Sequence, residues 1–277
     1  MARSLLVEKK LSKSALARSL GISRSSLYYI PKQIIKDAIL RDRIVDTLKD
    51  HPAYGHKRVA LDLGIGKNRA LRVMAKFGIR PHIRRKMPRY GRRTSVSGIP
   101  NRTQGISPIA PNVIWVGDFT ELSFHRSRVY LATVIDRFTR EIIGWQIGLH
   151  HTTRLVLDVL EESVRKRGGV SNIFHSDQGS EYTAHACIEW LVNHHILPSH
   201  SPKAKPWKNG HQESFFDKFK LEFGKPSRHQ TIELLIEAIG RYIHYYNTRR
   251  IHSALKMPPR VFFQKEMNRL NSKPESV

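Results

Sequence analysis

The chain has 277 residues, with 48 Lys+Arg against 23 Asp+Glu, a formal net charge of +25 and a single cysteine, Cys187. A surplus of that size calls for a polyanionic partner, nucleic acid first, because each neutralised phosphate releases condensed counterions. One cysteine excludes an internal disulfide framework and leaves structural zinc a poor ligand set. The apolar patch at 5–7 is too short for a signal peptide, and no apolar run approaches membrane-spanning length, so the chain reads as cytoplasmic with no membrane partner.

Residues 1–33 contain LSKSALARSLGISRSSLYYI, which predicts two short helices around Gly21, packed through Leu16, Leu20, Ile22 and Leu27. Ser23 is a suitable N-cap for the second helix. Arg24 then leads it, where a helix-turn-helix protein meets bases or phosphates. A helical hairpin also occurs without DNA. Residues 34–83 form a second helical module: Leu40, Ile44 and Leu48 recur on one face, His51-Pro52 stops that helix, and Ala70, Met74 and Phe77 line another that ends at Gly78. From 84 to 111, Pro and Gly break every period and seven Arg or Lys occur without one acid, as in a solvated linker or one that tracks phosphates.

Residues 112–224 begin with three apolar runs, at 113–119, 129–135 and 141–147, spaced for an antiparallel meander. A helix at 153–166 follows, then a strand at 172–174, a helix at 183–194, a strand at 197–200 and a helix that starts at Asn209-Gly210. This order predicts an α/β, ribonuclease H-like fold: a mixed five-stranded sheet with flanking helices, preceded by small all-α helix-turn-helix modules. Residues 225–277 form a helical extension. Its stripe of Ile232, Leu235, Ile236, Ile239, Ile243 and Tyr246 is expected to cover the core of the preceding α/β domain, and Arg249, Arg250 and His252 follow it.

On the helix after Gly210, Glu213 shares a face with Asp217 and Lys220, while Phe215, Phe216, Phe219 and Phe223 take the other. A surface helix with a solvated acid has the same pattern. Two further acids at strand ends argue for more: Asp118 in WVGDFTEL, and Asp177 in HSDQGSEYT with 35 residues between it and Glu213. Three carboxylates drawn together repel one another unless a cation neutralises them, and an all-oxygen set suits a hard divalent metal. Two such ions roughly 3.5–4 Å apart can drive in-line displacement at phosphorus. From the residues alone, Glu121, Asp136 and Glu181 are equally eligible. Gly64-Ile65-Gly66-Lys67 lacks the spacing of a phosphate-cradling loop, so ATP is not indicated.

Asp118, Asp177 and Glu213, with that 35-residue interval and Lys220 seven positions after the Glu, resemble the triad of DDE transposases and retroviral integrases. WVGDFTEL, YLATVIDRFTREIIGW, HSDQGSEYT, NGHQESFFDKFKLE and YYNTRRIHSAL, in order between about residues 51 and 259, resemble insertion-sequence transposases whose catalytic protein is encoded by a second, overlapping reading frame. The resemblance ranks these three acids above their neighbours. It implies two Mg²⁺ ions, with Mn²⁺ able to substitute, Asp118 bridging both and Asp177 and Glu213 each holding one. It implies double-stranded DNA, both element ends and target, as substrate for cleavage and strand transfer. A homo-oligomer in a synaptic complex, an upstream DNA-binding protein fused by frameshifting, and a bacterial, nucleoid-associated setting are implied as well. Lys220, Arg24, Lys57, Arg58, Arg84, Arg85, Arg249 and Arg250 are the expected DNA contacts. The alternatives are a structure-selective nuclease on the same acids and a catalytically inactive DNA-binding repressor. With the helical modules ahead of the linker and the acids after it, recognition and chemistry are expected to separate, so that a fragment from about Ser107 folds by itself.

Overall fold

A computed structural model describes residues 12–27, 32–82, 98–201 and 210–272, with side chains of the last segment described from Ser214 onward. The N-terminal part is helical: α1 (Lys13–Ser19), a 3-10 turn (Arg24–Leu27), α2 (Lys32–Asp50), α3 (His56–Asp62) and α4 (Lys67–Lys76). Ser23 does cap the second element, its Oγ accepting from Ser26 N at 3.2 Å. The expected apolar closure does not form. Leu16 is buried but Leu20 and Ile22 remain exposed, and Leu27 in the four-residue turn is only half-buried.

Helices α2, α3 and α4 close around Leu40, Ile44, Val59, Val73 and Met74. Asp37 on α2 pins α4 through Arg72 at 2.6 Å and Lys76 at 2.9 Å. This small core takes in one residue from the far end of the chain, Ile251. Its amide donates to Tyr54 Oη at 2.7 Å, and His51 Nδ1 lies 2.7 Å from Tyr245 Oη. A fragment from Ser107 would uncover Ile251 and leave its buried N–H without this acceptor.

The sheet consists of β1 (Ile114–Phe124), β2 (Ser127–Asp136), β3 (Ile142–Gly148), β4 (Ile173–Ser176) and β5 (Leu197–His200), in the order β3-β2-β1-β4-β5. The first three strands form the expected antiparallel meander, while β4 and β5 join parallel to β1, which is the ribonuclease H-like arrangement. Helix α5 (Thr153–Arg167) leads into β4, and α6 (Ser180–Thr183) and α7 (His185–Asn193) lead into β5. The single helix expected at 183–194 is broken at Ala184, whose ψ of 138° is extended. Then come α8 (Gly210–Glu222), a 3-10 turn (Pro226–Arg228), α9 (Ile232–Thr248) and α10 (Pro259–Asn271).

One face of the sheet packs Trp115, Ala132, Ile143 and Phe174 against α5 and α7. Gly144 permits the close approach of α5: a Cβ there would fall 2.6 Å from the Val159 carbonyl oxygen. The other face packs Leu122, Leu131 and Ile135 against Phe215 and Phe219 of α8 and Leu235, Ile239 and Ile243 of α9. Helix α9 is also hydrogen-bonded to the sheet. Asn247 Oδ1 accepts from Ile142 N at 3.0 Å and its Nδ2 donates to Ile142 O at 2.9 Å, so the amide takes the place of a strand partner.

Candidate active site

Strands β1 and β4 set the register of the acids. Ile114, Trp115 and Val116 lie opposite Ile173, Phe174 and His175. The same offset carried two residues further sets Asp118 level with Asp177, the first residue past the end of β4. Strand β4 ends at Ser176, so Asp177 leaves the sheet while β1 runs on to Phe124 against β2 alone. Both acids are half-buried at this step. Side chains alternate along a strand, so Asp118 shares its face with Leu122, which lies under α8 and α9. Gly117 points the other way, where a Cβ would fall 2.4 Å from the Phe174 ring. Glu213 lies in the first turn of α8; its side chain is outside the described residues.

Backbone amides orient both carboxylates. Phe119 N donates to Asp118 Oδ1 at 2.8 Å, and Gly179 N to Asp177 Oδ1 at 2.9 Å. A Cβ at Gly179 would meet Glu181 Oε2 at 2.7 Å and Asp177 Oδ1 at 3.1 Å. Tyr182 is buried beside them, packed on Phe119 and Phe174. Burial pushes its phenol well above the usual tyrosine range, and Asp118 and Asp177 push it further. The two carboxylates thus act on one hydroxyl. Tyr182 stands inside HSDQGSEYT, yet nothing in the spacing marks it as their neighbour.

The competing acids have other partners. Asp136 is fully buried and accepts from Asn112 N at 2.7 Å, Phe138 N at 2.8 Å and Thr139 N at 3.0 Å. Glu121 lies 3.4 Å from Arg128, three residues beyond Asp118 and so on the opposite face of β1. Glu181 stays near Asp177 and pairs with His151. Among the described residues no three acids or imidazoles converge as a metal cluster. His175, one strand position before Ser176, is held by Ser199 Oγ and Ser201 Oγ, each at 2.9 Å, and burial lowers its pKa to about 4. Cys187 is a packed thiol, pushed up to about 12 by burial.

Residues 108–206 and 194–259 each match the integrase core domain family. The transposase for insertion sequence element IS904 of Lactococcus lactis is 32% identical over 81% of this chain and 92% of its own length. The putative transposase InsK for IS150 of Escherichia coli is 31% identical over 87% of this chain and 89% of its own. The chain belongs to the insertion-sequence transposases. A solved HTLV-2 integrase catalytic core domain in complex with magnesium aligns with 57% of this chain and 99% of its own, at 17% identity and a TM-score of 0.44.

The DDE transposase distributes its expected DNA contacts unevenly. Arg24, Lys57 and Arg249 are exposed, and Lys220 is half-buried on α8, roughly two turns beyond Glu213. Arg84 and Arg85 lie outside the described residues. Arg58 is half-buried and turned toward the tail, its Nε donating to Ser253 Oγ at 3.1 Å. Arg250 requires correction as a DNA contact. Its side chain is 2% exposed and grips Glu222 through Nε at 2.8 Å and Nη2 at 2.7 Å, which raises its pKa and commits its charge within the protein.

Proposed function

We propose that Asp118, Asp177 and Glu213 form the metal-holding triad of this transposase and take two Mg²⁺ ions, with Mn²⁺ able to substitute. The observation that supports the reading is the parallel register of β1 and β4, whose offset, continued past Ser176, sets Asp118 level with Asp177. The donor set fits a hard divalent cation: the two acids present oxygens steered by Phe119 N and Gly179 N, with no thiolate beside them but a phenol whose ionisation they oppose. When bound, such ions make water a nucleophile near neutral pH and neutralise charge on the reacting phosphate.

In the first reaction a water oxygen forms a bond to phosphorus at the element end and the P–O3′ bond breaks, freeing a 3′-hydroxyl. In the second, that hydroxyl oxygen bonds to a target phosphorus and the target's own O3′ leaves, so one phosphodiester replaces another without an external energy source. Asp118 and Asp177 enter both steps as fixed anions. Lys220, roughly two helical turns beyond Glu213, would hold the DNA strand near it. Both element ends are required together, which calls for a homo-oligomer in a synaptic complex. The working form is either this chain or a frameshifted fusion with an upstream DNA-binding protein.

The test is a strand-transfer assay with labelled element-end duplex and Mg²⁺. Asp118→Asn, Asp177→Asn and Glu213→Gln are each expected to abolish cleavage and joining while duplex affinity is kept. Full activity in any one of them removes that residue from the triad.

A further inference from the structure

A cavity of about 440 Å³ lies between the N-terminal helices, the β2–β3 turn, α8 and the segment after α9. Its charged lining comes from all four: Arg58 from α3, Arg140 from the turn, Lys218 from α8, and Arg250 with His252 from the segment after α9. Among the described residues Glu222 is gripped by Arg250 and Asp136 by backbone amides, and Asp217 and Glu222 offset only part of the effect of the cations on Lys218.

Burial lowers the pKa of Arg58, Arg140 and Lys218, and a neighbouring cation lowers each further. His252 is brought down to about 4 by burial and by Arg140, Arg250, Arg58 and Lys218 around it, so it is neutral there. Nε and Nη1 of Arg140 and Nδ1 of His252 are shut off from water and have no partner among the described residues. Cationic donors withdrawn from water without an acceptor destabilise a fold, and an anion seated among them would reverse the penalty. Ser214 and Lys218 line the cavity, and they stand one position on from Glu213 and Asp217 around α8. The cavity therefore adjoins the helix stripe that carries Glu213.

We propose that this cavity seats one phosphodiester of the DNA engaged at the active site, held by Arg58, Arg140 and Lys218 with His252 as a neutral donor. The inference rests on the strand-transfer reading above. Donors arriving from four elements suit a tetrahedral anion better than a planar carboxylate, which a single guanidinium fork already satisfies. No base edge is read, so the site sets the register of the strand rather than its sequence. Because the lining joins helical module, sheet, α8 and tail, a seated phosphate would also tie the N-terminal helices to the catalytic core.

The experiment uses the full chain and a duplex with the sequence that ends its own insertion element. One phosphate at a time is replaced by a neutral methylphosphonate, and binding to parent, Arg140→Gln and Lys218→Gln proteins is followed by fluorescence anisotropy. Circular dichroism checks that both variants are folded. One replacement is expected to weaken parent binding about tenfold and variant binding by less than about twofold, since the contact is already lost. Each variant should also lower the slope of log affinity against log salt by about 0.9. If the parent binds the duplex but every replacement acts alike on parent and variants, the cavity seats no strand phosphate, and the inference fails while the strand-transfer reading stands. A parent that neither binds nor joins element ends overturns both. With a flat scan, stabilisation of the parent alone by inorganic phosphate would mark a small-anion site. A change in oligomeric mass alone would mark an acidic protein surface as the occupant, and either result overturns the proposal.

Discussion

Two groups of buried charge meet at the β2–β3 turn, and neighbouring residues belong to different ones. Glu141 faces a balanced group: its Oε1 accepts from Arg260 at 2.8 Å, and its Oε2 lies 2.9 Å from Arg167 Nη1, off the N–H axis and so an ion pair rather than a hydrogen bond. Asp136 lies 3.6 Å from the same Arg167, whose guanidinium also stacks 4.1 Å from the Phe263 ring. Arg140, one residue away, faces the cavity with Arg58 and Lys218, and no acid among the described residues lines it. Two acids against two arginines fix α5 and α10 to the turn. An excess of one sign does nothing for the folded state by itself and marks a place where something else binds.

This difference is broken most severely by Glu141→Gln. It leaves Arg167, 2% exposed in its side chain, without its main counter-ion, and the expected loss is about 3–5 kcal/mol in urea unfolding. Asp118→Asn, by contrast, should leave stability unchanged or slightly raised. A Glu141→Gln loss below about 1 kcal/mol would mean the balanced group is not structural.

The next effect appears in acid. His175 titrates near 4 in the folded chain against an ordinary 6.5, so between those values the unfolded chain binds more protons. Stability from this group is complete above about pH 6.5, falls as pH drops, and stops falling near pH 4, for a loss on the order of 3 kcal/mol. Unfolding free energies measured from pH 7 to 4 should show that slope, and His175→Asn should flatten it. Smaller again is Tyr54→Phe. It removes the acceptor of the Ile251 amide and should cost about 1–2 kcal/mol, seen as a lower urea midpoint for the whole chain.

How much of this was legible depends on how local the cause is. The meander, α5, the short strands and the buried Phe face of α8 follow from apolar periodicity, and the structure has them within a few residues of expectation. The expectation of two acids at strand ends holds for Asp177, just past the end of β4, but Asp118 lies within β1, which runs on to Phe124. Arg249 and Arg250 show where local signal stops. They are adjacent and identical in type, yet one is exposed and the other buried, and the choice is made by Glu222, 28 positions earlier. The docking of the helical module is equally remote, since Tyr54 and Ile251 lie 197 positions apart. Helix α10 falls within the expected helical extension, but of its 13 residues only Pro259 is buried; it is held by Arg260 on Glu141 and Phe262 against Phe138.

The smallest expected effect has the opposite sign and separates the two groups of charge most sharply. Lys218 is half-buried, and burial, Arg58 and Arg250 all hold its pKa below the usual lysine range. Its charge is therefore unfavourable in the folded chain without DNA, and Lys218→Gln should raise the urea midpoint, by roughly 0.5 kcal/mol given solvent screening at a partly exposed site. Added salt screens the same repulsion, so the gain should shrink between low and high ionic strength. Element-end DNA should reverse the order, stabilising the parent more than the variant, because a ligand stabilises in proportion to how tightly the folded state binds it. Urea titrations of both proteins, at two salt concentrations and with or without duplex, give all four comparisons. A variant less stable than the parent in the absence of DNA would mean that Lys218 is already compensated within the fold, and that the cavity belongs with the balanced group around Glu141.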